Sequence, residues 1–294
     1  MVLLPGTRRH GAFRGGGDGV NQHDRSPETA AEAVRRSLRD IEERIVAAGG
    51  DLARVTVVAV TKGQGNWAVL AAAAAGLSDI GENYAAELLE KASSLEADLD
   101  PPVRWHFLGA VQRNKVARLA RVVTCWQSVA RVAEAEAIAS RTAGRTPEVF
   151  VEVDFSGEPG RNGCRPEEAG DIVSAASACG CRVRGLMTVA PLAASSPLAA
   201  APLAAAPPAG GPAAGGPAAG RPAESGAQRE AARRAFGQCA DLASRLGLAE
   251  LSMGMTGDLE EAVAAGSTMV RIGTALFGQR VPESHHEGPP SLQQ

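Results

Sequence analysis

A chain of 294 residues with 45% hydrophobic content has enough apolar mass for a sizeable core, and its net charge of −3 excludes a general attraction to nucleic acid or an anionic membrane. Pro and Gly interrupt every apolar stretch before it could span a bilayer, and the opening MVLLPGTRRHGAFRGGG lacks the pattern of a signal peptide, so cytoplasmic residence is expected. The five cysteines (Cys125, Cys164, Cys179, Cys181 and Cys239) form no CxxC pair and have no His at ligand spacing, so reduced thiols and no metal are expected.

Residues 1–26 are rich in Gly, Arg and Asp without periodicity and read as a disordered extension. Ser26-Pro27-Glu28 then opens a helix whose apolar face is Val34, Leu38, Ile41 and Ile45, and Gly49-Gly50 ends it. Next comes VTVVAV at 55–60, a strand pattern that ends in Thr61, Lys62 and Gly63. Strand patterns recur near 78–81, 104–109, 121–125, 148–155, 182–187, 250–252 and 268–272. Helical patterns at 67–75, 84–95, 114–119, 130–141, 166–179, 228–246 and 258–265 alternate with them. Residues 190–226 break the rhythm. They are almost wholly Ala, Pro and Gly, and read as a low-complexity insertion in one domain at 27–281, with 282–294 as a disordered tail.

Strands that alternate with helices imply parallel pairing with right-handed crossovers. Eight such units predict an α/β fold, a single-domain (β/α)8 TIM barrel. An open doubly wound sheet is the alternative, without a G-x-G-x-x-G after the first strand to support it. In a barrel, the residues just past the strand C-termini converge, which singles out Lys62, the Glu82-Asn83-Tyr84 stretch, His106, Asp154 to Gly163, Met187, Ser252 to Gly254 and Arg271 to Thr274. SMGMTGDLEEA and RIGTALFG each leave a strand through small residues into a helix, a pattern that suits a phosphate dianion. Only three of the 30 basic residues are lysine (Lys62, Lys91 and Lys115). In a chain so biased to Arg, at least one of these lysines is expected where an amine must lose its proton and attack a carbonyl, and the bias alone does not say which. Lys62 at a strand tip is the candidate. Lys91, in AAELLEKA, reads as part of a solvated helix face, and Lys115 as the solvent-facing start of a helix. An imine-forming lysine beside two phosphate-type turns suggests pyridoxal 5′-phosphate (PLP).

VVAVTKG, IGENYAAELLEKA, WHFLGAVQRNK, VEVDFSGEPGRNG, RGLMTVAP and LSMGMTGDLEEAVAAGSTMVRIGTALFG occur in this order across roughly residues 30–280. Together they resemble the pyridoxal phosphate homeostasis protein family, small PLP-binding proteins related to the alanine racemase N-terminal barrel (fold type III). The resemblance implies a Schiff base on Lys62 and Arg271 facing the pyridine nitrogen. It further implies Gly273, Thr274, Ser252 and Gly254 at the phosphate and Asn83 near the ring. Arg161-Asn162-Gly163 departs from the more usual Lys-Ser-Gly.

A cationic partner disfavours protonation of the ring nitrogen and makes the ring a poor electron sink. The related racemases take a second base from a C-terminal domain that has no counterpart in VPESHHEGPPSLQQ, and Tyr84 is the only tyrosine. The reading is therefore a monomeric PLP carrier that buffers the cofactor or delivers it to apo-enzymes, with no catalytic residues of its own. Two alternatives stay open: a weak PLP-dependent amino-acid racemase, and a class I aldolase-type lyase whose Lys62 attacks substrate without PLP.

Overall fold

The computed structural model describes residues 27–142, 144–191 and 226–279. The expected extension at 1–26, nearly all of the 190–226 insertion and the 282–294 tail lie outside these residues. Eight parallel strands close into a barrel in sequential order: β1 (Thr56–Val60), β2 (Asp79–Glu82), β3 (Arg104–Phe107), β4 (Val123–Val129), β5 (Glu148–Glu152), β6 (Arg182–Met187), β7 (Glu250–Ser252) and β8 (Met269–Ile272). The register that closes the ring pairs Val58 of β1 with Arg271 of β8. The crossovers are α2 (Asn66–Ala74), α3 (Ala85–Ser94), α4 (Arg113–Leu119), α5 (Val132–Arg141), α6 (Ala169–Ala178), α7 (Gly226–Arg245) and α8 (Leu259–Ala264). α1 (Pro27–Ala47) supplies the eighth outer helix by packing on α2 and α8, and a short α9 (Thr274–Phe277) follows β8. The (β/α)8 expectation holds and the open sheet is ruled out.

Two apolar clusters follow from the period of two along each strand. One fills the space between strands and helices. The other, made of Val58, Cys125, Phe150, Met187 and Met269, fills the barrel. Below the inner cluster, at the N-terminal strand ends, Arg184 bridges Glu148 and Glu250 at 2.6 and 2.5 Å, and Arg104 bridges Glu148 at 2.6 Å. This ionic floor leaves the opposite mouth for a ligand.

The bounds differ from expectation where polar residues are buried. β4 runs on to Val129 because Gln127 and Ser128, which broke the apolar pattern, are fully enclosed and hydrogen-bonded. β5 stops at Glu152 because the Asp154 carboxylate accepts the N–H groups of Ser156 and Gly157 and turns the chain.

Candidate functional site

A cavity of about 580 Å³ opens at the C-terminal ends of the strands, lined by Lys62, Asn83, Glu152, Arg161, Thr256, Gly257, Asp258, Arg271, Gly273 and Thr274 among others. Lys62 reaches it because Val58, Val60 and Lys62 share one face of β1 and its exit, Val58 in the inner core and the other two on the cavity wall. A larger void of about 1060 Å³ lies at the other end, between α1, α2 and residues 98–103. Its wall is mostly Ala, Leu and Pro. The smaller cavity is the site because three cations and two small-residue turns converge there, at the face where barrels of this kind bind ligands.

Both neighbours of Lys62 are pinned from behind. Lys91 Nζ donates to the carbonyl of Thr61 at 2.8 Å, to Glu82 Oε1 at 2.6 Å and to Glu87 Oε1 at 2.7 Å. The Thr61 hydroxyl donates to the same Glu82 oxygen at 2.6 Å, and Glu87 accepts the Gly63 N–H at 2.7 Å. Lys91 is only 4% exposed and Glu82 is fully buried. This corrects the expectation of a solvated Lys91. A helix otherwise amphipathic turns this lysine inward because a buried carboxylate needs a charge partner. Burial still holds the Glu82 carboxyl above its usual range despite Lys91 and Thr61. Lys115 is exposed, as expected, and so is Tyr84, which does not line the cavity.

Of the expected phosphate ligands, Gly273 and Thr274 line the cavity, while Ser252 and Gly254 do not. Ser252 is fully buried, donates its hydroxyl hydrogen to Gln127 Oε1 and accepts from Arg271 Nη1. The wall is instead made two residues further on, by Thr256 and Gly257. Their turn is held by three contacts. The Asp258 carboxylate accepts the Met255 N–H at 2.6 Å, Arg44 of α1 donates to the Thr256 carbonyl at 3.0 Å, and the Thr256 hydroxyl accepts the Ala275 N–H at 3.3 Å. α8 and α9 have six and four residues, so local N–H groups, more than a long helix dipole, supply the attraction for an anion. Gly254 shapes this turn: its φ is +93°, and a Cβ would sit 2.5 Å from that of Ala262. Gly254→Ala is expected to cost about 1–3 kcal/mol in thermal unfolding and to weaken anion binding, through strain and the displaced turn.

Arg271 is 5% exposed, and its two terminal nitrogens donate to Ser252 Oγ at 2.7 Å and the Thr188 carbonyl at 2.9 Å. Burial pulls its pKa down against the opposing charges of Asp258 and Glu152. Arg161 ties the 158–163 loop to the end of β6 by donating to the carbonyls of Val189 and Ala190 at 3.1 and 3.0 Å. Asn162 donates to Glu152, which the sequence reading had not singled out. Burial pushes Glu152 up from 4.5 to about 7, although Asn162, Arg271 and Arg161 oppose the shift. The folded state thus keeps this proton to higher pH than the unfolded chain. Its contribution to stability is full below the unfolded pKa of about 4.5 and is lost as pH rises through about 7. Urea unfolding at about pH 5 and about pH 8 is expected to show this slope, and Glu152→Gln to flatten it.

The family model described as alanine racemase, N-terminal domain, matches residues 31–281. The pyridoxal phosphate homeostasis protein of Pseudomonas aeruginosa is 37% identical over 86% of this chain and 96% of its own length. The chain belongs to the pyridoxal phosphate homeostasis protein family. The Deinococcus radiodurans member of the family is 33% identical over 83% of this chain and 99% of its own. Among solved structures, PipY of Synechococcus elongatus with PLP bound matches with a TM-score of 0.62 at 28% identity, covering 81% of this chain and all of PipY. Alanine racemase of Clostridium difficile shares the fold, with a TM-score of 0.58 at 15% identity over 86% of this chain and 57% of the racemase. Family membership accounts for the barrel. The geometry above shows where Lys62, Asn83, Arg271, Gly273 and Thr274 meet, and adds Thr256 to them.

Proposed function

We propose that this protein holds PLP reversibly as an imine on Lys62 and serves intracellular PLP homeostasis, buffering the cofactor or delivering it to apo-enzymes. The observation that carries this reading is a lysine at a strand tip facing two small-residue turns and a buried arginine in one cavity. The donor set fits a phosphorylated pyridine aldehyde. The cofactor supplies an aldehyde carbon, and condensation with the Lys62 amine releases one water. The N–H groups around Thr256, Gly257, Gly273 and Thr274 would take the phosphate, Asn83 would lie toward the ring and Arg271 would face the pyridine nitrogen; all of these residues line the cavity. Ser252 acts through Arg271 and Gly254 through the turn that it shapes.

Carriage is favoured over catalysis by the same residues. A permanent cation beside the ring nitrogen disfavours its protonation, so carbanion chemistry is weakly supported. The one tyrosine of the chain stands 53% exposed outside the cavity, so it does not supply the second base that two-sided proton transfer requires. Cytoplasmic residence fits the five free thiols, and no helix among the described residues is long and apolar enough to cross a membrane. A monomer is the proposed state.

Incubating the PLP-loaded protein with an apo-aminotransferase tests this reading. Recovery of aminotransferase activity at the rate of PLP release, with no more than trace conversion of L- to D-alanine, is the expected result. Enzyme-like racemisation that disappears in Lys62→Ala would replace carriage with catalysis.

A further inference from the structure

Four buried side chains connect the floor of the barrel to Arg271. Asp79 opens β2, His106 lies on β3, Gln127 on β4 and Ser252 at the end of β7; His106, Gln127 and Ser252 are fully enclosed and Asp79 is 7% exposed. Asp79 Oδ1 lies 2.8 Å from His106 Nε2, and His106 Nδ1 lies 2.7 Å from Gln127 Nε2. Gln127 Oε1 lies 2.6 Å from Ser252 Oγ, and Ser252 Oγ lies 2.7 Å from Arg271 Nη1. Neither the family match nor the sequence assigns this chain a role.

Its direction is determined. A guanidinium only donates, so Ser252 Oγ accepts from Arg271 and its own hydrogen must go elsewhere. The Gln127 amide oxygen takes it. The Gln127 nitrogen then faces His106 Nδ1 and, at 3.1 Å, Met269 Sδ, which uses both of its hydrogens. Nδ1 is thereby an acceptor, and the imidazole proton sits on Nε2 and points at Asp79. Burial raises the Asp79 pKa, but the contact with His106, the charge of Arg104 and the Ser78 hydroxyl together outweigh it and hold the carboxyl below its usual range. The reversed amide would present two donors to Ser252 and leave its hydroxyl hydrogen without an acceptor in a dry site. Every donor on the path meets an acceptor in one sense only.

We infer that His106, Gln127 and Ser252 are positioning residues for Arg271, a one-directional hydrogen-bonded relay anchored at Asp79 that sets the guanidinium plane presented to the cofactor ring. This rests on the proposed placement of PLP in the cavity. The Thr188 carbonyl is the second acceptor for Arg271, so Ser252 Oγ and Thr188 O together define the guanidinium plane. Loss of the relay leaves Ser252 free to rotate and that plane undefined. The ring nitrogen then loses a fixed cationic partner, and PLP is held less tightly.

The test has two arms. In ligand-free unmodified protein, 15N spectra of the histidine side chains should show His106, identified by its absence in His106→Asn, as the neutral Nε2–H tautomer. A neutral Nδ1–H ring or an imidazolium at neutral pH would overturn the relay's direction. Gln127→Leu and Ser252→Ala break the path at different points, and Ser252→Ala is small enough to keep the fold if Gln127→Leu does not. Each is expected to raise the PLP dissociation constant about tenfold and to move the pH midpoint of the bound cofactor's absorbance, with the adduct still on Lys62. Folded variants with unchanged constant and midpoint would reduce the relay to packing and overturn the inference while leaving the PLP site intact. If the unmodified protein takes up no PLP, the site reading fails, and the relay's stated purpose with it.

Discussion

Lys62→Ala is expected to raise the PLP dissociation constant by about a hundredfold or more, because the covalent bond is lost and only the phosphate turns and Arg271 remain. Gel filtration of the variant mixed with PLP should separate protein from cofactor, whereas the unmodified protein should carry the absorbance of a bound imine through the column. Lys62 is 4 residues beyond Val58, on the same inward parity, and its neighbours contribute only to its placement. Alanine at this position leaves in place the hydrogen bonds that Lys91, Glu82 and Glu87 make to Thr61 and Gly63. Retention of PLP by Lys62→Ala would move the attachment elsewhere and end the reading of this lysine.

The largest effect on stability is expected at Lys91. Lys91→Met strips the ammonium from a cluster in which Glu82 is fully enclosed and one of its oxygens already has no partner. Removing one member of a buried pair costs about 3–5 kcal/mol, because the other charge stays behind in a dry site. Urea unfolding measures this directly, and adding Glu82→Gln to the same chain should recover part of the loss. The Thr61 carbonyl and the Glu87 carboxylate lose the ammonium and keep only the N–H groups of Gln64 and Gly63, so PLP binding should weaken in the folded fraction. A loss below about 1 kcal/mol would place the pair among ordinary surface ion pairs and contradict the account of how Lys62 is held.

The barrel was legible because its strands are short apolar runs of even spacing with helices between them, a pattern few other folds share. A strand tip alone favours a surface lysine; the scarcity of lysine, two small-residue turns and the family resemblance together singled out Lys62, and the structure sets it on the cavity wall. The support beneath the site was harder to read. Lys91 obeys the amphipathic pattern of α3, and the reason that it turns inward, Glu82, lies on the preceding strand. The cue was there in IGENY, where a carboxylate at the end of a buried strand requires a charge partner. The turn in SMGMTGD offered several small residues, and only the end of β7 at Ser252 shows that Ser252 points inward and that Thr256 reaches the cavity. His106 was singled out only as a strand-tip residue and Gln127 not at all; they meet because β3 and β4 pair side by side, a contact that no local pattern announces. Glu152 is the same kind of case: strand parity puts it over Phe150 on the inner face, and the site is what gives a carboxyl reason to be there.

The central claim is that Lys62 is the point of attachment, and the chain has only three lysines against which to judge it. Borohydride reduction of the PLP-loaded unmodified protein, followed by peptide mass mapping, tests it most directly. The account predicts one phosphopyridoxyl adduct, on the peptide that contains Lys62. An adduct on Lys91 or Lys115, or none at all, would contradict it.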